Sequence, residues 1–228
     1  MVLDPRKRQK KLERKTAKRR SQREDFVRQN PTDVHLRFRL AAAAPVLHSL
    51  ASESLWKEGI GQVLLSREVN HGQLAFAAFL VDMYCLGVKN AMWNIRPRSD
   101  VESLAGKLSR NFKIVKLKPE CARKLVESAV EYARNLGFGP HEDYQQARLI
   151  FGSIDGSACS EEFVFGKNGK PFFIAGPNDD PARCRQIVGT LNSRLGPQGH
   201  HFLMPVSGGD PLSDRVEIVR GDWDDDVD

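Results

Sequence analysis

The residues best suited to chemistry in this 228-residue chain are cations. Its first thirty residues hold twelve Lys/Arg against four acids, a surplus of eight positive charges. Arg6, Lys7, Arg8, Lys10, Lys11, Arg14, Lys15, Lys18, Arg19, Arg20 and Arg23 form the dense part. Side chains of this type gain free energy by releasing counterions condensed on a polyanion, and they need no defined fold to do so. Between Arg6 and Arg23 the apolar residues are Leu12 and Ala17, so the segment has no stripe to lay on a core. It also carries no aromatic ring with which to read a base. The sequence therefore predicts a basic arm, flexible or helical, whose partner is RNA or another nucleic acid. A solubilising tail is the bland reading. Contact with an anionic membrane surface is weaker still, because no apolar face or lipidation signal assists it. In a eukaryote the same cluster would read as a nuclear localisation signal.

Beyond the arm, three side chains are candidates for catalysis: Asp82, His141 and Asp155. Asp82 stands between Val81 and Met83 in an apolar stretch, where an unpaired carboxylate is costly to bury. It needs a hydrogen-bonding or ionic partner, or a job such as the central-strand acid of a metal-dependent nuclease. Lys89 follows seven residues on, but no acid-x-Lys pair completes that site. The expectation is that Asp82 is capped or paired inside the body. His141, Glu142 and Asp143 sit side by side near an expected helix start, where exposed N–H groups favour the acids without any catalysis. For His141 to act as ligand or base, the fold must bring in His200, His201 or Asp155. Cys159 has no histidine fixed beside it and reads as a structural thiol. Lys167 and Lys170 flank a turn backed by Phe163, Phe165, Phe172 and Phe173, an arrangement that either stacks single-stranded RNA or supplies core. Phosphate-loop, dinucleotide, zincin and serine-elbow patterns are absent from the sequence. No catalytic residue is assigned on these grounds, and no metal, cofactor or small-molecule ligand is indicated.

These side chains need elements to hold them. A hydrophobic share of 40% with 28% charged residues argues for a folded globular body and against both a membrane protein and a disordered one. The apolar run at residues 75–88 is shorter than the ~20 residues of a membrane span and contains Asp82. Four cysteines, with no C-x-x-C pair, read as reduced thiols in a cytoplasmic compartment. Residues 207–228 hold eight acids against Arg215 and Arg220, so an acidic tail closes the chain.

Between arm and tail the patterning alternates helix and strand. Residues 35–40 alternate polar and apolar side chains and predict a strand, and residues 46–56 keep helical spacing after Pro45. Residues 62–69 and 73–84 predict a hairpin across Asn70, His71 and Gly72, the second strand apolar enough to be central in its sheet. Ser99 and Glu102 have capping-box spacing before a helix bearing Val101, Leu104, Ala105 and Leu108. A short strand is expected within 112–117. The clearest helix runs from Pro119 towards Gly137. Pro140 is expected to open another, carrying Tyr144, Ala147 and Ile150. Residues 162–175 predict a second hairpin around Asn168 and Gly169, then Asp180 and Pro181 start a helix that stops at Gly196, and a strand is expected at 202–206. The string from Gly137 to Tyr144 has a distinctive texture and matches no named motif.

The reading is thus an α+β body of β-hairpins with packed helices over 31–206, with room for a lobe boundary near 137–160, between a basic arm at 1–30 and an acidic tail at 207–228. The leading function is a non-enzymatic, nucleic-acid-associated protein, RNA or ribonucleoprotein favoured, whose body docks on a protein partner. One alternative is a metal-dependent nuclease or hydrolase centred on Asp82, with the arm tethering its substrate. Another is a protein-interaction module whose oppositely charged ends pair.

Overall fold

The computed structural model describes residues 31–69, 72–111, 113–176 and 179–204. The basic arm, the acidic tail and the hairpin residues Asn70 and His71 lie outside the described residues. The body is α+β. Four consecutive strands, β1 (Val46–Ser52), β2 (Ile60–Val69), β3 (Gln73–Asp82) and β4 (Gly87–Pro97), form an antiparallel meander. A fifth, β5 (Ile114–Lys116), returns to pair with β1, giving the order β4-β3-β2-β1-β5.

Strand β3 is interior, as its apolar composition predicts, and it is buried on both sides. Ala75, Ala77, Phe79 and Val81 belong to the main core with Val63 and Leu65 of β2. Leu74, Phe76 and Ala78, one step out of phase, join Leu64 in a second cluster. That alternation is the period-two geometry of a strand with helices over both faces. Helix α3 (Arg98–Asn111) covers the second face with Val101, Leu104, Ala105 and Leu108, the four residues its spacing predicts. Helix α4 (Pro119–Asn135) covers the first, burying Cys121, Ala122, Leu125, Val126, Ala129, Val130 and Ala133. Pro119 occupies its first turn, and Gly137 beyond its end takes φ 95°. A Cβ there would meet only the movable end of the Arg194 side chain, so it is the backbone angle that favours glycine.

The structure corrects several expectations. Residues 35–40 lie within helix α1 (Pro31–Ala41) rather than a strand. The alternating pattern groups Leu36, Phe38 and Leu40, but only Phe38 is buried; Leu36 and Leu40 are exposed. The true stripe is His35, Phe38 and Ala41, and the first two rings rest on Trp93 with centroids 4.6 and 4.9 Å away. Residues 46–56 form β1 and the short helix α2 (Ser54–Lys57), not one helix. Strands β2 and β5 claim both edges of β1, and its Leu50 and Ala51 serve opposite faces of the sheet. Strand β4 escapes sequence reading because Lys89, Asn90, Asn94 and Arg96 break up its apolar pattern.

The helix expected from Pro140 begins at Tyr144 as α5 (Tyr144–Ala147) and runs on as a 3-10 turn at Arg148–Phe151; Tyr144, Ala147 and Ile150 are all buried. The second hairpin shrinks to one bridge, Lys167 to Lys170, over a turn with Asn168 at φ 53° and Gly169 at φ 75°. Strand β6 (Phe172–Ile174) instead pairs in parallel with β7 (His201–Leu203), connected by helix α6 (Pro181–Leu195). Asp180 caps that helix, its carboxylate accepting the Ala182 N–H at 3.2 Å. A small core of Cys85, Leu86, Leu136, Phe173, Cys184, Ile187 and Leu191 joins this unit to the β3–β4 turn.

Two features staple loops to this frame. Arg67 of β2 is buried, and its guanidinium donates from Nε to the Ile150 carbonyl at 2.6 Å, from Nη2 to Phe151 O at 2.8 Å and from Nη1 to the Ala44 carbonyl. Cys121 and Cys159 form a disulfide, which corrects the reading of four reduced thiols; Cys85 and Cys184 are free and buried. Along the same side of α4, Arg123 donates to Ile154 O at 2.6 Å, and Lys124 donates to Cys159 O and Glu161 O. The disulfide closes a 38-residue separation. Loop entropy then assigns it about 3–4 kcal/mol. Cys159→Ser, or reduction, is expected to lower the urea midpoint by a corresponding amount, and an unchanged midpoint would mean the pair adds nothing to α4 and its hydrogen bonds.

Candidate functional site

Asp82 ends β3 as a turn cap. Its Oδ1 accepts the Tyr84 N–H at 2.9 Å and the Cys85 N–H at 3.0 Å, closing the turn that leads through Gly87 (φ 64°) into β4. A Cβ on Gly87 would sit 2.6 Å from Ala129 O, so this turn is pressed onto helix α4. The side chain is 6% exposed. Burial pushes its carboxyl above the usual range, while the N–H groups of Cys85, Tyr84 and Leu86 and the positive Lys89 oppose that rise without cancelling it. The expected hydrogen-bonded role is met by backbone N–H groups alone.

A raised carboxyl in the folded chain binds its proton more tightly than in the unfolded one. Its stabilising contribution is therefore complete below the ordinary carboxylate pKa of about 4 and is lost as pH rises through the folded-state value. Asp82→Asn keeps the accepting oxygen and removes the titration. Its melting temperature relative to wild type is expected to climb as pH rises above the ordinary carboxylate pKa of about 4. Asp82→Ala leaves the Tyr84 and Cys85 N–H groups without their acceptor and is expected to cost about 1–3 kcal/mol at low pH, where wild type keeps the full contribution of Asp82. A constant Asn-to-wild-type difference across pH would show that Asp82 does not titrate in the folded chain.

The other candidates stand apart from it. Asp155 is exposed, and its Oδ1 accepts the Ser157 N–H and hydroxyl at 2.9 and 2.7 Å, bonds that hold its carboxyl below the usual range. His141 lies in the loop after α4, donating its backbone N–H to Val88 O and accepting the Asp143 N–H at Nδ1 over 3.2 Å. No hydrogen bond or ion pair joins Asp82, His141 and Asp155 among the described residues, and no three His, Cys, Asp or Glu there are grouped to hold a metal ion. His200 is buried with Nδ1 3.2 Å from Gly196 O, and burial lowers its pKa. Cys159, being disulfide-bonded, is not a free nucleophile.

The phenylalanines near Lys167 and Lys170 are mostly committed to packing. Phe173 is fully buried, Phe165 stacks on Tyr132 with centroids 5.4 Å apart, and Phe163 packs against the main core. Phe172 is half-buried and takes Lys167 Nζ over its ring at 5.2 Å.

What sequence reading missed is a cleft of about 340 Å³ on the far side of the β3–β4 turn. Leu86, Val88 and Lys89 form one wall, residues 137–141 the second, and Arg183, Gln186, Ile187 and Thr190 of α6 the third. Lys89 reaches it through a β-bulge: Val81 pairs with Val88 and Leu80 with Asn90, leaving Lys89 as the extra residue. A bulge re-aims a side chain in this way. The Lys89 side chain is 18% exposed, and its ammonium lies 3.6 Å from the Asp179 carboxylate, which also accepts the Gly176 N–H. Arg183 has no acidic partner among the described residues. Only the unmatched string from Gly137 to Tyr144 pointed here from sequence. Comparison with protein-family models, curated proteins and solved structures finds no match to this chain.

Proposed function

We propose that the chain is a nucleic-acid-associated protein, RNA or ribonucleoprotein favoured, held to its partner by the basic arm while the α+β body docks beside it. The observation that carries this reading is the surplus of eight positive charges in thirty residues, with hardly an apolar side chain in the dense part. Such a segment gains from phosphate contact and has nothing to gain from core packing. The stretch at 31–206 is itself positive by four charges, so the body does not oppose the approach of a polyanion.

Two properties of the binding follow. Affinity is set by charge count rather than by base sequence, because phosphate contacts position a nucleic acid without reading it. The acidic residues of the tail, Asp222, Asp224, Asp225, Asp226 and Asp228 among them, act as a tethered competitor for the arm. The direct test is purification of the full chain at low and at high salt. Nucleic acid that co-purifies at low salt and is stripped at high salt supports the reading, and a preparation free of nucleic acid under both conditions counts against it.

A further inference from the structure

We propose that the cleft between the β3–β4 turn, the loop at 137–141 and helix α6 binds a phosphate-bearing nucleotide, its phosphate held by the cationic side chains and its base against the apolar ones. The inference goes beyond arm-borne binding, since it places a shaped site on the body. Lys89 supplies an ammonium on a partly buried side chain, and at 3.6 Å Asp179 is close enough to orient it without occupying its three donors. Arg183 faces it from α6 with an unpaired guanidinium fork, the group best matched to phosphate oxygens. His141 lines the loop side and turns its Nδ1 to the Asp143 N–H at 3.2 Å, which leaves Nε2 as the nitrogen available to a ligand. Gln186 adds an amide on the same helix face, and no acid is among the described lining residues, the Asp179 carboxylate standing beside Lys89.

The same three walls also carry apolar side chains, among them Val88, Phe138 and Ile187. A volume of about 340 Å³ lies in the range of small-ligand sites and exceeds what inorganic phosphate alone fills. Cationic and apolar side chains lining one cleft fit a ligand that has both an anionic end and a flat one. That chemistry is shared by a free nucleotide and by the phosphorylated end of an RNA strand.

The test follows the backbone amide signals of Gly137, Gly139 and Thr190 in the ¹⁵N-labelled full chain. The probes are adenosine 5′-monophosphate, adenosine, inorganic phosphate, and a short RNA with and without a 5′-phosphate. Adenosine 5′-monophosphate or the phosphorylated RNA is expected to shift all three amides saturably, with adenosine and inorganic phosphate each weaker by about tenfold or more. Arg183→Gln alters an exposed residue and is expected to weaken the phosphate-bearing probe about tenfold. Saturation by the mononucleotide alone identifies a free nucleotide, and saturation by the phosphorylated RNA alone identifies a strand end. The proposal is overturned if neither phosphate-bearing probe moves these amides at about 10 mM, if adenosine binds as well as its monophosphate, or if Arg183→Gln binds as well as wild type. Because the readout is local to the cleft, failure here leaves the arm's salt-dependent binding standing, and the reverse also holds.

Discussion

Arg67→Ala is expected to cost about 3–5 kcal/mol, because each buried carbonyl left without its donor costs about 1–3 kcal/mol. The arginine is 5% exposed, and burial lowers its pKa, yet among the described residues no carboxylate balances it. Its partners are the Ile150 and Phe151 carbonyls, at the C-terminal end of the 3-10 turn, and the Ala44 carbonyl just after α1. Carbonyls at a helix end carry partial negative charge and have no intrahelical donor, so a guanidinium is a fitting cap for them. Alanine would leave the Ile150 and Ala44 carbonyls without a donor, leave Phe151 O with the Ile154 N–H alone, and open a cavity beneath two loops. For a chain of this size that is on the order of 10 °C in melting temperature. Arg67→Met tests the polar part alone, since it fills the space without satisfying the carbonyls, and Arg67→Lys keeps the charge but not the fork. If all three variants melt within about 2 °C of wild type, Arg67 does not hold the loops to the sheet.

Deleting residues 1–30 is expected to remove nearly all salt-sensitive binding to nucleic acid. If about six of the arm's cations contact phosphates at once, log affinity should fall against log salt with a slope on the order of −4 for single strands and −5 for duplexes. Between about 50 and 200 mM salt, that amounts to about a hundredfold to a thousandfold loss for the full chain. The arm-deleted chain should have a slope close to zero while retaining its melting temperature. Salt titrations of both chains against two unrelated RNAs and one duplex DNA check this. Equal slopes would place the binding surface on the body, and a marked preference for one RNA would reveal base readout that the arm's composition does not supply.

Legibility in the sequence followed the range of the interaction involved. Helix α4 could be read in full because Pro119, the apolar stripe and Gly137 are all local signals that agree with one another. Strand β3 was equally clear, since burial on both faces leaves a nearly continuous apolar run. The segment at 35–40 misled because Phe38 belongs to both a period-two and a period-3.6 pattern, and only Trp93 of β4 decides between them. Strand β1 and the parallel pairing of β6 with β7 were set by partners distant in the chain, which no window of neighbouring residues contains. The Cys121–Cys159 bond has the same character, with no spacing motif to announce it. The cleft draws on three segments separated by some fifty residues each, so its cations looked unrelated until the fold assembled them. Asp82 was flagged correctly as a carboxylate in need of partners, while their identity as backbone N–H groups depended on the turn.

The strand order β4-β3-β2-β1-β5 also bears on the chain as it leaves the ribosome. Strands β1 to β4 can zip up in order of synthesis, each against its predecessor, but the outer edge of β1 waits for β5, which lies more than sixty residues downstream. Throughout that interval the nascent meander exposes a row of unpaired N–H and C=O groups, the kind of edge on which two chains add to each other. Only three residues of β5 then close it, pairing with Leu50, Ala51 and Ser52. Crowded synthesis of this protein therefore has its most vulnerable moment between the completion of β4 and the arrival of Ile114.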